Sequence, residues 1–207
     1  VKWLLSLENV NISARSEESM KSCCEHGFIE IAKLLYEKKQ EISPYNQEDI
    51  MFFFDISIYH GKIDMIKWLW EITDNGVNLQ LDDYVNKFII NNAFQNVCEN
   101  NYLITAQWLQ KNIPYVGDEV DINSMFNNIC KKGYINMGKW VWENFNNLIL
   151  NANNDKIFKT LCINGHLDMA KWVYELYETK GYQKLNTDRY TLLFKDICKN
   201  GHIEAAK

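Results

Sequence analysis

The sequence predicts an all-α fold, a solenoid of helical pairs that must stack because each buries too little surface alone. Three observations predict it. A short phrase ending in glycine recurs six times: Cys24-Glu25-His26-Gly27, Ile58-Tyr59-His60-Gly61, Cys98-Glu99-Asn100-Asn101, Cys130-Lys131-Lys132-Gly133, Cys162-Ile163-Asn164-Gly165 and Cys198-Lys199-Asn200-Gly201, with Asn101 in the glycine place of the third copy. Successive glycine positions lie 34, 40, 32, 32 and 36 residues apart, the period of a repeat array. Around each glycine, apolar residues recur at separations of 3 and 4, the stripe of an amphipathic helix.

The first helix of each unit precedes the glycine. An aromatic or Met stands seven residues before it, at Met20, Phe54, Phe94, Phe126, Phe158 and Phe194. Four before it come Cys23, Ser57, Val97, Ile129, Leu161 and Ile197, and three before it the cysteine of the phrase, so all three positions share one face. The glycine then ends the helix as a left-handed cap, a conformation that Asn tolerates better than other side chains.

The second helix follows at once. Its first turn carries Glu30, Asp64, Asn136, Asp168 and Glu204, where free backbone N–H groups and the positive end of the dipole favour acids and amides. Lys33, Lys67, Lys139, Lys171 and Lys207 stand three residues later, able to pair on the solvated side. The other side is apolar, as in Ile31, Ala32 and Leu35, or Met169, Ala170 and Val173. Trp68, Trp108, Trp140 and Trp172 all lie seven residues after the glycine, Leu34 takes that place in the first copy, and Trp3 fits the same register. A tryptophan ladder can line a groove for peptides or pack repeat on repeat; packing is the expectation, because each ring buries a large area against its neighbour.

The connectors are uneven. Ser43-Pro44 precedes a helix start near Asn46, Asn123-Ser124 caps another helix, and Asn186-Thr187-Asp188 a third. Pro44 and Pro114 both fall between helices. The 40-residue interval, over Gly76 to Phe94, predicts a first helix one or two turns longer than its counterparts, with Asp82-Asp83 at its start.

Bulk composition narrows the function. The 207 residues are 47% hydrophobic and 24% charged, as in an ordinary globular chain, and the formal charge of −5 disfavours a phosphate backbone as main partner. No apolar run approaches the ~18 residues of a membrane span, since Ile50 to Phe54 stops at Asp55. Five of six cysteines hold one repeat position, which predicts buried, reduced thiols and an intracellular, cytoplasmic protein. Val1 falls inside a second helix and Lys207 inside another, so residues 1–207 are expected to be a single domain cut from a longer array, with apolar surface at each end.

The run Gly165-His166-Leu167-Asp168-Met169-Ala170-Lys171-Trp172-Val173 resembles the Gly-His-Leu-Glu-Val-Val-Lys-Leu-Leu core of the ankyrin repeat, and Gly201-His202-Ile203-Glu204-Ala205-Ala206-Lys207 resembles it equally. The cysteine three before the glycine takes the place of the second alanine in that family's Ala-Ala pair. Gly76-Val77-Asn78 and Asp121-Ile122-Asn123 are similar to its hairpin signature. The family's Thr-Pro-Leu-His opening is absent: Lys156-Ile157-Phe158-Lys159 and Ser124-Met125-Phe126-Asn127 stand there. The resemblance therefore implies an ankyrin-type solenoid of about six repeats with reduced or irregular hairpins. The abundance of Asn, Ile, Lys and Tyr resembles divergent ankyrin-like arrays of amoebae and large DNA viruses, and in the viral case implies a host cytoplasm.

Chemistry finds little support. Cys162-x3-His166 and Cys198-x3-His202 have the residue types of zinc half-sites, but the cysteine should point into the core while the histidine lies past the glycine turn. His26, His60, His166 and His202 all flank repeat glycines, so one structural role accounts for them together. No unique third group orients a Cys–His nucleophile, and no phosphate loop, dinucleotide fingerprint, nucleophile elbow or HExxH motif occurs. The expectation is a protein with no catalytic residues, cofactor, metal or small-molecule substrate.

What the resemblance implies instead is a non-catalytic scaffold whose partner is another protein, docking on residues late in the first helices. The position two before each glycine reads Glu25, Tyr59, Glu99, Lys131, Ile163 and Lys199: two apolar residues where exposure is expected, with acids early and bases late. These six are the candidate partner-binding residues. The alternatives are a nucleic-acid-binding α-solenoid, which lacks a basic face here, and an adaptor recruiting substrates to a ubiquitin ligase, for which no F-box-like segment is visible.

Overall fold

The computed structural model of the chain describes residues 14–76, 84–146, 148, 154–179, 187–202 and 204. Trp3, Val77-Asn78, Asp82-Asp83, Asn186 and Lys207 lie outside them. The described residues are all-α: they form eleven helices and no strand. These are α1 (Ala14–His26), α2 (Ile29–Ile42), α3 (Gln47–Tyr59), α4 (Ile63–Ile72), α5 (Tyr84–Glu99), α6 (Leu103–Asn112), α7 (Ile122–Lys132), α8 (Ile135–Asn144), α9 (Asn154–Ile163), α10 (Leu167–Thr179) and α11 (Thr187–Lys199). They fall into two compact units, one drawn from Val1–Val97 with Tyr102–Val120 and one from Cys98–Asn101 with Asp121–Lys207. In the first, α1 packs on α2, α3 on α4, and α1 on α3; in the second, α7 packs on α8, α9 on α10, and α9 on both α7 and α11.

The recurrent phrase is a helix stop followed by a helix start. Gly27, Gly61, Asn101, Gly133, Gly165 and Gly201 all have positive φ, between 63° and 78°. The stop is clearest at Gly133. Its N–H donates to Cys130 O at 2.9 Å and the next N–H, from Tyr134, donates to Ile129 O at 3.3 Å, which satisfies the last carbonyls of α7 in a Schellman arrangement. Tyr134 itself sits at φ −80°, ψ 75°, an inverse γ-turn conformation, and the Ile135 N–H returns to Gly133 O at 2.9 Å. Phe28, Lys62 and Tyr102 repeat this conformation at the starts of α2, α4 and α6, and none of these starts has a side-chain cap. The turn's own backbone bonds thus replace the missing caps, while the first-turn acids make no cap hydrogen bond and favour the start through the dipole. Of the i,i+3 pairs, Lys33 reaches Glu30 at 3.9 Å, whereas Asp64 with Lys67 and Asp168 with Lys171 do not come within 4 Å.

Packing follows the predicted face and adds one that periodicity did not single out. Met20, Phe54, Phe94 and Phe126 are fully buried, as are Cys24, Cys98 and Cys130. Burial pushes the thiols up, Cys24 to about 12 and Cys162 to about 11. Cys198 differs from the expectation: it is exposed, as is Phe194 on the same helix. The tryptophans do pack, but along a diagonal. Trp68 meets Tyr36 edge-on at 5.6 Å, and Trp108 meets Trp70 at 5.3 Å, so the ring seven after one glycine contacts the ring nine after the previous glycine. The ring nine after the glycine lies on the phenylalanine of its own pair: Trp70 on Phe54 at 6.1 Å, Trp142 near Phe126 at 6.4 Å, Tyr174 near Phe158 at 5.8 Å. Two aromatic positions, not one, bind helix to helix and pair to pair.

The connectors set the helix starts. Asn46 caps α3 in a full capping box, its side chain accepting from Asp49 N at 2.8 Å while Asp49 Oδ2 accepts from Asn46 N at 3.1 Å. At α7 the cap is Asp121, accepting from Ser124 N at 3.0 Å, not Asn123-Ser124; an Asp one residue before the apolar Ile122 wins the cap position. Helix α5 has 16 residues against 10 to 13 in the other first helices, as the 40-residue interval predicts. It also anchors the connector after α6: the Gly117 N–H donates to buried Asn91 Oδ1 at 2.7 Å.

Candidate interaction surface

The six predicted positions lie where their register puts them, late in the first helices, with unequal exposure. In the first unit Glu25 is half-buried with Lys21 at 3.9 Å, while Tyr59 is 54% exposed and stands edge-on to His60 at 5.4 Å. In the second unit Glu99 accepts from Asn128 Nδ2 at 3.1 Å, Lys131 and Lys199 are exposed, and Ile163 is partly buried. Lys131 has a second role through its backbone: its carbonyl accepts from Asn164 Nδ2 at 3.1 Å and lies 3.0 Å from His166 Nε2.

The histidines do not share one role. The rings of His166 and His202 sit over the glycines of the preceding pairs, so that a Cβ on Gly133 or Gly165 would collide with them. Tyr102 covers Gly61 in the same way. His26 instead places Nδ1 2.9 Å from Ser22 O within its own helix. Among the described residues no group of three His, Cys, Asp or Glu is placed to hold a metal ion. No described helix is long and apolar enough to cross a membrane.

In the first unit, α3 and α5 both carry exposed large apolar side chains. Phe52 is 49% exposed, and Val85 and Phe88 are exposed beside it in sequence register on α5, at i and i+3. Periodicity alone did not select them, although a signal was present: in Met51-Phe52-Phe53-Phe54 one helix face cannot bury four consecutive large side chains. Phe53 and Phe54 go to the core and Phe52 is left outside.

Between these helices opens a cleft of about 500 Å³, lined by Asn46, Gln47, Glu48, Met51, Phe52 and Asp55 of α3 and its cap, and by Asn86 and Ile89 of α5. The two helices are tied near their far ends, where Asn96 Nδ2 donates to Tyr59 O at 2.8 Å. Asn86 lies fifteen residues before Asn101, in the stretch of α5 that has no counterpart in α7 or α9, which both start eleven residues before their glycines. Of the two α5 residues in the lining, Asn86 belongs to the extra turn, while Ile89, twelve before Asn101, has counterparts in α1, α3 and α11. Asp55 is half-buried, makes no hydrogen bond or ion pair among the described residues, and burial pushes its carboxyl up to about 6.

Compared with known proteins, the chain matches no protein-family model, and no curated protein matches it.

Proposed function

We propose that this chain is an ankyrin-like array of helical pairs that acts as a non-catalytic scaffold for another protein. The observation that carries the reading is the division of labour along the first helices. Through the first four repeats the recurring positions, Met20, Phe54, Phe94 and Phe126 with Cys24, Cys98 and Cys130, are buried, and the large apolar side chains left outside there, Phe52, Tyr59, Val85 and Phe88, stand at positions that vary; in the last repeat Phe194 and Cys198 are exposed. A surface of this kind costs solvation unless something covers it. Six free cysteines, five of them buried, support a reducing compartment such as a cytosol.

The test is affinity capture with quantitative mass spectrometry, comparing the wild-type chain with a Lys131→Glu/Lys199→Glu variant. The expected result is a saturable protein partner whose recovery falls in the charge-reversed variant. Unchanged recovery would remove the row two before the glycines from the docking face, and the absence of any saturable partner would overturn the scaffold reading.

A further inference from the structure

Asp55 is the least explained charge in the first unit. Its desolvation works against folding, no partner among the described residues offsets it, and no core requirement calls for an acid where the other first helices carry Lys21, Gln95, Asn127, Lys159 and Lys195. It opens onto the cleft whose other walls are apolar at Met51, Phe52 and Ile89 and amide-bearing at Asn46, Gln47 and Asn86. Among the described residues the lining holds two carboxylates, Asp55 and Glu48, and no cation. Neighbouring lysines are engaged elsewhere: Lys87 lies over the Tyr115 ring, 5.2 Å from its centroid, and Lys21 stands between Glu18 at 4.0 Å and Glu25 at 3.9 Å. The positive end of the α3 dipole, which would otherwise draw an anion here, is already met by Asn46, Glu48 and Asp49.

We propose that the α3–α5 cleft is a docking site for a peptide segment of the partner that presents an arginine or lysine to Asp55 beside a large apolar side chain packed on Phe52, Met51 and Ile89. The occupant follows from complementarity. A half-buried, unpaired carboxylate gains most from a cation that also hydrogen-bonds, and a guanidinium does so with two parallel N–H groups. Phe52, 49% exposed, supplies apolar wall that a neighbouring side chain would cover. The volume lies in the range of sites that take a side chain and its surroundings. Glu48 stands about two helical turns from Asp55, so a second positive residue nearby would strengthen binding and a negative one would oppose it. The inference rests on the scaffold reading and narrows it to one place and one chemistry.

A random dodecapeptide display library tests it, panned on the wild-type chain, with enriched peptides re-measured by fluorescence anisotropy on Asp55→Asn, Phe52→Ser and Lys131→Glu/Lys199→Glu. Phe52→Ser also removes the ring contact with buried Phe53 at 6.0 Å, so circular dichroism and a melting curve verify folding of both single variants. Enriched peptides should share Arg or Lys next to Leu, Ile, Phe or Trp, lose roughly 10- to 100-fold in affinity on Asp55→Asn, as loss of a charged hydrogen bond implies, and weaken on Phe52→Ser. Peptides that lack a cation, or that bind Asp55→Asn as well as wild type, would overturn the cleft proposal. Saturable binding lost only in the Lys131→Glu/Lys199→Glu variant would do so while leaving the scaffold reading standing; no saturable peptide at all would remove both.

Discussion

At the scale of single residues, burial without a partner decides behaviour. Asp55 holds its proton up to about pH 6 in the folded chain, whereas the ordinary value for the group is 3.8. The native state therefore binds the proton more tightly than the unfolded chain, and stability falls as pH rises from about 4 to about 6. The difference is worth up to about 3 kcal/mol above that window and vanishes below it. Asp55→Asn is expected to raise the melting temperature at pH 7, leave it unchanged near pH 4, and flatten the profile between; equal melting curves at pH 7 would contradict this. The thiols follow the same physics. Desolvation holds Cys24, Cys98 and Cys130 in the unreactive thiol form, while Cys198 is exposed. A disulfide reagent at pH 8 should modify Cys198 first in the native protein, and peptide mapping should find Cys98 and Cys130 modified only after denaturation.

At the scale of elements, the unit of construction is two helices joined by a turn that needs one left-handed residue. Any residue with a side chain at Gly133 would meet both the φ of 74° and the His166 ring, so the glycine is required twice, by backbone and by the next pair's packing. Asn101 shows the requirement from the other side: its φ of 63° is the left-handed conformation that asparagine visits among non-glycine residues. The aromatic diagonal then joins pairs. Trp70 contacts Phe54 in its own pair and Trp108 in the next, and its ring also covers Gly76. Trp70→Ala should lower stability in urea by about 3 kcal/mol, whereas Lys67→Ala, one turn earlier on the exposed side, should stay within about 0.5 kcal/mol of wild type. A smaller loss at Trp70 than at Lys67 would show that the diagonal is not a structural joint. The tryptophan spacing was legible in the sequence; the second aromatic position was not, because it is filled by Tyr36, Trp70, Trp142 and Tyr174 and, in the third copy, by Gln110.

At the scale of the whole molecule, 207 residues of formal charge −5 carry an architecture that is all-α throughout the described residues. The long repeat interval is where the regular plan is broken, and it is also where the cleft opens, on a helix one turn longer than its counterparts. The sequence by itself determined the helices, their stops, the buried aromatic and cysteine positions apart from Phe194 and Cys198, and the longer α5, because these depend on local spacing: a period of 3 and 4 along a helix, and a left-handed residue at its end. The candidate row Glu25, Tyr59, Glu99, Lys131, Ile163 and Lys199 could also be placed from register alone. Which of them is exposed could not, since Glu25 and Ile163 are partly covered while Tyr59 stands out. Only the tertiary structure decided that Phe52 remains outside, that Trp108 meets Trp70 and not Trp68, and that Asp55 is half-buried without a partner among the described residues. Those outcomes depend on how side chains from different helices share space, and packing between helices is set by shapes that no single helix contains.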